Sequence, residues 1–395
     1  MTAVEARPEA AANPLAAHYT RFRVAERLLL TGHSHQAWPD VALEGQIAAF
    51  EDAALHVDEK WERAFAHAEL VRDGFRRLLG DPHGELVLGA STHDLVLRFL
   101  SALDLRARPR LVTTDAEFHT LRRQLARLAE EGLEVVRLTA RPVDTLAERL
   151  FAAADDRTAA VLVSAVLFED ARIVPGLDAL AEACAVRGTE LLVDAYHALG
   201  ATPFATPRTA WVVGGGYKYL QLGEGNCFLR VPEHAHALRP VITGWFAEFG
   251  ELADPPRPGQ VAYSRGAAAF AGSTYDPTSH YRAARVFRFF AEQGLTREVL
   301  RASYRSQVDL LAAAFDALSV PDDLVTRDLD TPLDRFGAFL ALRSPHAPEL
   351  QQALARRGVL ADSRGPWLRL GPAPYLSDAQ LQEAVGVLGS VVQEG

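Results

Sequence analysis

The 395-residue chain has little of what marks secreted, membrane-spanning or metal-binding proteins. Its two cysteines, Cys184 and Cys227, stand in unrelated contexts, which provides neither a disulfide framework nor the ligand spacing of a metal site. No apolar run approaches the length of a membrane span. Residues 1–13 lack an apolar segment, so we predict a disordered leader rather than a signal peptide. A reducing, cytoplasmic location fits these absences.

Positive charge is not concentrated anywhere along the chain. The formal net charge is -10 and there is no long basic run, which argues against nucleic acid as the main partner. The composition is 49% hydrophobic, so a globular core is expected. The length allows two domains, or one large domain with a subdomain.

Strand and helix patterns alternate through the middle of the chain. Strand patterns at 110–114, 133–138 and 159–167 are followed by helical patterns at 119–131, 143–154 and 177–186. This alternation predicts an α/β fold with a mainly parallel sheet covered by helices. Residues 240–277 are irregular and rich in Pro and Gly, as functional loops often are. From Val320 onward, short strand patterns such as 336–342 mix with helical patterns such as 377–388, which predicts a smaller α+β domain.

A carboxylate and a lysine each follow a predicted buried strand. The run Leu191–Val193 leads into Asp194, and the run Ala210–Val213 leads through glycines to Lys218. Parallel sheets place ligands at the carboxyl ends of their strands, so both side chains would meet in one crevice. This pair suits pyridoxal phosphate (PLP), because the amine forms a Schiff base and the carboxylate keeps the ring nitrogen protonated. Taken alone, the pair could also be a surface lysine and a helix cap.

Two further stretches have two interpretations each. Ser91 and Thr92 open a predicted helix, where hydroxyl residues can cap the helix or help to bind a phosphate. Residues 32–39 place two histidines, a serine and a tryptophan in a short polar turn. That turn could line an active site or cap the next helix.

Several motifs together resemble one enzyme family. Asp194-Ala-Tyr-His197 is similar to its Asp-x-x-His, and Tyr217-Lys218-Tyr219-Leu220 to its Tyr-Lys-Tyr-Leu. The segment from Asp362 to Tyr375 is similar to Asp-x-Arg-x-Pro-x-x-Ile-Arg followed by Pro-Leu-Tyr. Gly244-Trp245 matches a Gly-Trp, and residues 32–39 align on Gly-Asn-Ser-Leu-Gly-Ala-Leu-Pro. The chain thus resembles the kynureninase branch of the class V aminotransferase superfamily, which consists of fold-type I PLP enzymes.

The resemblance implies an arrangement for the whole chain. After the leader, residues 14–45 would join the small domain, 46–277 would form the large PLP-binding domain, and 278–395 the small C-terminal domain. It also implies a homodimer, because active sites of this fold type are built at the subunit interface.

The resemblance assigns the cofactor, pyridoxal 5'-phosphate, to the predicted crevice. Lys218 would bind it covalently and move protons, Asp194 would pair with its ring nitrogen, and His197 would support Asp194. Phe118 would stack on the ring, although taken alone it is as readily a core residue. Tyr217 would hold the phosphate and act as an acid.

The remaining implied contacts come from more distant segments. The phosphate would also be held by Ser91 and Thr92, and from the neighbouring subunit by Ser273 or Thr274 and by Trp245, which could instead be a packing residue. The amino-acid substrate would meet Ser34, and Arg369 would clamp its α-carboxylate. A structural ion pair is the alternative role for Arg369.

The implied reaction is hydrolysis of the Cβ–Cγ bond of kynurenine to anthranilate and alanine, a step of tryptophan catabolism. Some residues depart from the family pattern: Leu121 replaces an acid, Glu224 replaces a proline, and His33, His35 and Gln36 change the N-terminal loop. These changes leave other class V activities open, including an aminotransferase, a C–S lyase or an epimerase. A catalytically silent PLP-binding protein is a further alternative. A cysteine desulfurase is disfavoured, because neither cysteine lies in the C-terminal part of the chain.

Overall fold

The computed structural model describes residues 13–252 and 259–394. Residues 1–12 of the predicted leader therefore lie outside the described residues. Asn13, the last residue of that predicted leader, lies inside them. Its side-chain amide donates hydrogen bonds to the carbonyl oxygens of Pro374 at 2.7 Å and Leu376 at 2.9 Å. This residue is thus tied to the C-terminal part of the chain.

The strands and α-helices of the described residues are numbered separately, each in chain order. The strands are β1 Leu28–Leu29, β2 Glu85–Gly89, β3 Arg110–Thr114, β4 Glu134–Leu138, β5 Thr158–Ser164, β6 Glu190–Asp194, β7 Trp211–Gly215, β8 Cys227–Val231, β9 Leu340–Arg343, β10 Val359–Leu360, β11 Asp362–Arg364 and β12 Trp367–Leu370. The α-helices are α1 Val41–His56, α2 Lys60–Leu79, α3 Thr92–Ala102, α4 His119–Glu130, α5 Leu146–Ala153, α6 Leu177–Arg187, α7 Thr278–Glu292, α8 Arg297–Asp316, α9 Ala347–Arg356 and α10 Asp378–Glu394.

A seven-stranded sheet forms the centre of the molecule, in the order β2-β8-β7-β6-β5-β3-β4. The five strands from β7 to β4 in this order run parallel to their neighbours. Strand β8 runs antiparallel to both β2 and β7. The predicted α/β class with a mainly parallel, helix-covered sheet is therefore confirmed.

Strand β5 shows why this sheet is covered on both faces. All seven of its residues are buried. Val161 and Val163 pack into one hydrophobic cluster, whereas Ala160 and Leu162 pack into another. Because successive side chains of a strand point to opposite faces, each face of the sheet packs against its own apolar layer.

Two smaller sheets contain the C-terminal strands. Strands β11, β12 and β9 form an antiparallel sheet, and β1 pairs in parallel with β10. The strand predicted at 336–342 begins only at Leu340. Phe336 instead forms an isolated bridge with Arg172, a contact distant in sequence that periodicity cannot show.

Tertiary packing also decides where helices end. The last helix was predicted over 377–388, but α10 continues to Glu394 because Val391 and Val392 are buried against the core. The predicted irregular region contains, where described, only the short 3-10 helices Trp245–Glu251 and Gly266–Phe270. Over the described ranges, no helix is both long enough and apolar enough to cross a membrane.

Candidate active site

The carboxyl ends of the central strands bring the predicted site together. Strand β5 ends at Ser164 and β6 at Asp194, and these two residues are direct partners in the register of the sheet. Strand β7 ends at Gly215, three residues before Lys218. The turn between them is tight: a Cβ atom on Gly215 would lie 2.5 Å from the Tyr196 hydroxyl oxygen. Glycine is therefore required where the chain turns toward Lys218.

Lys218 is buried, with 7% of its surface exposed. Its Nζ lies 2.8 Å from Nε2 of His197. Burial lowers the pKa of the lysine to about 7, while the nearby charge of Asp194 acts in the opposite direction. The amine is therefore largely neutral, and nucleophilic, at slightly alkaline pH.

His197 contacts the lysine rather than the aspartate that it was predicted to support. Burial lowers the pKa of this histidine well below its ordinary value, so the ring is neutral. Its Nδ1 lies 3.2 Å from the Tyr219 hydroxyl. In the tautomer with the proton on Nδ1, Nε2 accepts from Lys218 and Nδ1 donates to Tyr219. A buried amine needs such an acceptor, which explains the different partner.

Asp194 faces the same space from the end of β6. One of its carboxylate oxygens accepts a hydrogen bond from the Tyr196 backbone N–H at 2.8 Å. Burial raises the pKa of this carboxyl, and the positive charge of Lys218 counteracts that rise. The group is therefore held by the backbone and retains a second oxygen for a partner.

Aromatic rings surround the lysine. Its Nζ lies 4.8 Å from the ring centroid of Tyr196, 5.5 Å from that of Phe118 and 5.9 Å from that of Tyr217. Burial raises the pKa of Tyr217 to about 12, so its hydroxyl keeps its proton at neutral pH. Rings at these distances provide a flat, partly apolar wall against which an aromatic cofactor can stack.

The start of α3 closes another side of the site. The Ser91 hydroxyl accepts a hydrogen bond from the Asp94 backbone N–H at 3.2 Å, so Ser91 caps this helix. Ser91 and Thr92 also line the cavity beside Lys218. The capping role is therefore present, and a phosphate contact of Ser91 or Thr92 stays a prediction.

These groups enclose a cavity of about 280 Å³. Seven residues predicted from the sequence line it: Ser91, Thr92, Phe118, Asp194, His197, Tyr217 and Lys218. The sequence interpretation missed other lining residues, among them Ser164, Val166, Phe168, Tyr196 and Cys227. Applied to the predicted strand 159–167, the strand-end rule points to Phe168, whereas the observed strand already ends at Ser164.

Arg369 lies behind the cavity wall in the small antiparallel sheet. Asp362 faces it directly across the two strands β11 and β12, and the two side chains form an ion pair. A second guanidinium nitrogen donates to the carbonyl of Phe168, which lines the cavity. Within the described part of the chain, Nε of this arginine has no hydrogen-bond partner. The structural ion pair is thus present, and binding of a substrate carboxylate stays a prediction.

His33 completes this buried cluster. Its Nε2 lies 3.7 Å from an oxygen of Asp362, and its ring packs on Phe339 at a centroid distance of 4.6 Å. Burial lowers the pKa of His33 to about 3, so the imidazole is neutral. The contacts of His33 and Arg369 lower the pKa of Asp362 well below its usual range, although burial alone would raise it.

The N-terminal loop reaches the mouth of the cavity through His35. This ring stacks on Tyr217 with centroids 4.9 Å apart, and its Nε2 lies 3.7 Å from an oxygen of Glu224. Ser34 is not among the residues that line the cavity, and its hydroxyl lies 3.2 Å from Nδ1 of His35. The loop therefore lies beside the site, and a substrate contact of Ser34 stays a prediction.

Trp245, Ser273 and Thr274 lie outside this cavity. The indole N–H of Trp245 donates to the Thr274 hydroxyl at 3.3 Å. Ser273 and Thr274 line a separate concavity of about 1,090 Å³, which shares Ala90, Glu224 and Gly225 with the lysine cavity. The structure therefore does not bring these three side chains to Lys218 of the same chain. Elsewhere in the described residues, no group of three or more His, Cys, Asp or Glu side chains could hold a metal ion.

The fold matches that of a known PLP-bound enzyme. A solved structure of a C-DES mutant, with glycine covalently linked to the PLP cofactor, superimposes with a TM-score of 0.80. The match covers 95% of this chain and 99% of that one, at 14% sequence identity. The chain thus has the fold of fold-type I PLP enzymes.

Sequence comparisons indicate which PLP-dependent enzymes the chain is similar to. The family model of the kynureninase C-terminal domain matches residues 306–388. The kynureninase of Pseudomonas fluorescens is 27% identical over 387 residues, covering 92% of this chain and 89% of the relative. An uncharacterized aminotransferase of Bacillus subtilis (strain 168) is 24% identical over 347 residues, covering 86% and 88%. The chain is thus a kynureninase-like, PLP-dependent enzyme, similar over most of its length to kynureninases and to a class V fold.

Proposed function

We propose that PLP binds in the 280 Å³ cavity, with Lys218 as its covalent attachment residue. The observation that carries this proposal is a buried lysine with a lowered pKa that shares a cavity with a half-buried carboxylate, Asp194. Asp194 has a free oxygen for the ring nitrogen, and Phe118 offers a ring face. The phosphate would be held at the start of α3 by Ser91, Thr92 and backbone amides, with Tyr217 opposite.

When bound, the cofactor supplies an electron sink that acidifies the Cα–H bond of an attached amino acid. Lys218 then has the position and the pKa of the base that removes and returns this proton. His197 accepts a hydrogen bond from the amine at 2.8 Å and orients it. Tyr217 keeps its proton at neutral pH and would donate it to the carbon left by bond cleavage.

Arg369 would bind the α-carboxylate of the substrate. Its guanidinium lies directly behind Phe168, a residue of the cavity wall, and its Nε is unpaired within the described residues. To bind a carboxylate, the arginine must exchange its contact with the Phe168 carbonyl for the substrate. The ion pair with Asp362 would hold the arginine in place during this exchange, and Ser34 would line the outer part of the substrate site.

For the reaction, we propose hydrolysis of the Cβ–Cγ bond of kynurenine, or of a related amino acid, to anthranilate and alanine, as in tryptophan catabolism. The similarity to kynureninases over most of the chain supports this substrate class. The matched C-terminal segment also contains Arg369, the proposed carboxylate ligand.

An aminotransferase is the second candidate. The Bacillus subtilis relative of that class is similar over 86% of this chain. Leu121 and Glu224 also differ from the kynureninase pattern at or near the cavity. The same lysine, aspartate and arginine would serve either reaction, since proton transfer at Cα is common to both.

A product assay separates the candidates. Purified protein loaded with PLP is incubated with kynurenine or 3-hydroxykynurenine, and the products are followed by fluorescence and mass. Anthranilate or its hydroxy derivative together with alanine supports the hydrolase. A keto acid formed only when an amino acceptor is present supports the aminotransferase and contradicts the hydrolase. Lys218→Ala is the control, and it should abolish either product.

We also propose a homodimer that covers an exposed aromatic surface made of Trp61, Phe65, Trp245, Phe246, Phe249 and Tyr275. These rings contact one another with centroid distances from 4.3 to 6.4 Å, yet Trp245 is 43% and Phe249 47% exposed. Exposed apolar patches of this kind mark interfaces. In the dimer, Trp245 and Ser273 or Thr274 would reach the phosphate of the partner chain.

Light scattering coupled to size exclusion measures the oligomeric state directly. Active-site sharing is tested by mixing two inactive variants, Lys218→Ala and a Ser273→Ala/Thr274→Ala double variant. Mixed dimers should recover part of the activity, because one of their two sites is intact. A monomer in solution contradicts the dimer, and a dimer without recovery contradicts the shared site.

Two further predictions remain part of this proposal. We propose that residues 46–277 form the cofactor domain, and that residues 14–45 join 278–395 in a smaller domain. The pairing of β1 with β10 supports the second group. A cytoplasmic location is supported by Cys184 and Cys227, which are both buried free thiols.

A further inference from the structure

A buried carboxylate, Glu117, lies behind the cavity and has no role in the proposed mechanism. It is 2% exposed and stands between β3 and α4. The next residue is Phe118, whose ring lines the cavity and lies 5.5 Å from Nζ of Lys218. Burying a carboxylate is unfavourable unless the group is hydrogen-bonded, so Glu117 requires hydrogen-bond partners.

The hydrogen bonds of Glu117 join two strands of the central sheet. Its Oε1 accepts from the hydroxyl of Thr114, the last residue of β3, at 2.7 Å and from the backbone N–H of Ser164 at 3.3 Å. Its Oε2 accepts from the hydroxyl of Ser164 at 2.6 Å. The carboxylate therefore connects the carboxyl ends of β3 and β5, and it fixes the backbone from which Phe118 projects.

The same network places Glu117 next to Asp194. Ser164, which bonds to Glu117, is also the register partner of Asp194 on the adjacent strand. The charge of Asp194 acts on Glu117, and the charge of Lys218 acts on Asp194. Burial and, to a smaller extent, Asp194 raise the pKa of Glu117 to about 7, against the effect of its hydrogen bonds. Above that pH, Glu117 carries a negative charge behind the cavity wall, within electrostatic reach of Asp194 in the lining.

We propose that Glu117 is a positioning residue of the cofactor site, which holds Phe118 in place and whose charge strengthens Asp194 as the anionic partner of the ring nitrogen of PLP. This inference rests on the proposed function. A like charge beside Asp194 raises its affinity for a proton, and thus strengthens its hold on a protonated ring nitrogen. The charge acts through Asp194, so Glu117 needs no contact with the cofactor.

This role also accounts for one departure from the family pattern. Leu121 stands where the kynureninase pattern has an acid, and it is buried in an apolar cluster at 6% exposure. Glu117 lies four residues earlier, on the other side of Phe118. The negative charge near the cofactor ring would thus come from the strand side of the site instead of from α4.

Two variants separate the charge of Glu117 from its hydrogen bonds. In Glu117→Gln, the amide oxygen still accepts from Thr114 and from the Ser164 N–H, and the amide nitrogen can donate to the Ser164 hydroxyl. This variant loses the charge and keeps the number of contacts between residue 117 and its partners, with the Ser164 hydroxyl changing from donor to acceptor. Thr114→Val is the matched control, because it removes the hydrogen bonds of the Thr114 hydroxyl to Glu117 and to the Ala116 backbone N–H and keeps the charge.

Each variant is loaded with PLP, and its visible absorbance is titrated between pH 7 and 10. A negative charge stabilises the protonated form of the bound cofactor, so Glu117→Gln should shift the midpoint of the absorbance change downward by about half to one pH unit. Thr114→Val should leave the midpoint in place. The melting temperature of the cofactor-free protein should stay unchanged in Glu117→Gln, which shows that its fold is intact.

An unchanged midpoint in Glu117→Gln, with wild-type absorbance, overturns the inference. An equal shift in Thr114→Val also overturns it, because the effect would then be structural. If the wild-type protein itself acquires no visible band with PLP, the proposed function fails, and this inference fails with it. The two failures are therefore distinguishable by the wild-type sample alone.

Discussion

The lowered pKa of Lys218 predicts an unusual pH dependence of cofactor capture. Only the neutral amine attacks the cofactor aldehyde. With a pKa of about 7, Lys218 is mostly neutral at pH 8. A lysine with an ordinary pKa of about 10.4 would be neutral in roughly 0.4% of molecules at that pH. Lys218 should therefore react roughly 200-fold faster at pH 8 than an ordinary lysine of equal access.

The measurement is the rate at which visible absorbance appears when cofactor-free protein is mixed with PLP at different pH values. The rate should rise tenfold per pH unit below pH 6 and level off above about pH 8. The reaction of N-acetyl-lysine amide with PLP is measured at the same pH values and corrected for the protonation of that amine. Dividing the rate of the protein by this corrected rate removes the effect of the titration of PLP itself.

The chain offers a clean control, because Lys60 and Lys218 are its two lysines. Lys60→Arg should keep the full rate and the plateau, and Lys218→Ala should lose both. Borohydride reduction followed by peptide mass analysis should place the cofactor on the peptide that contains Lys218. A wild-type rate that keeps rising tenfold per unit through pH 9 would refute the argument, since it would show that burial does not lower the pKa of this amine.

Three further substitutions test other parts of the site and the core. Asp194→Asn keeps the acceptor for the Tyr196 N–H but removes a negative charge, so the pKa of Lys218 should fall further, which stopped-flow capture of PLP measures. Turnover should fall by about 100-fold or more in a product assay, because the ring nitrogen loses its anionic partner. Arg369→Lys should raise KM roughly 10- to 100-fold with a smaller change in kcat, because losing one hydrogen bond to a charged group weakens binding by about that factor. An unchanged KM would show that Arg369 has only a structural role. Phe75→Ala should lower the free energy of unfolding by about 3–5 kcal/mol in a denaturant titration, since Phe75 is fully buried, while PLP capture by the folded protein stays unchanged.

Short-range patterns were sufficient for the strands and for the centre of the site. Leu191–Val193 and Ala210–Val213 are continuous apolar runs whose residues are buried on both sides of the sheet. Such strands and their ends can be recognised from the sequence alone. The rule that ligands gather at the carboxyl ends of parallel strands then placed Asp194 and Lys218 together. The same rule could not give Ser164, because the predicted strand 159–167 extends past the point where β5 ends.

Contacts between distant segments were not accessible in this way. That His197 bonds to Lys218, and that Arg369 is paired with Asp362 behind Phe168, depends on how strands and loops far apart in sequence are packed. The 3-10 helices of the region 240–277 and the extension of α10 likewise depend on neighbours that supply buried surface. Local propensity is weak compared with such packing.

The chain thus carries the α/β class, the order of its main elements and the lysine–aspartate pair in patterns that span only a few residues each. The cavity around that pair, the lowered pKa of Lys218 and the hydrogen bonds of the Glu117 carboxylate arise only when the sheet is assembled. The physical reason is that burial, and with it the cost of charge, is a property of the packed molecule. A side chain is buried, and its pKa is shifted by burial, only once its neighbours are packed around it.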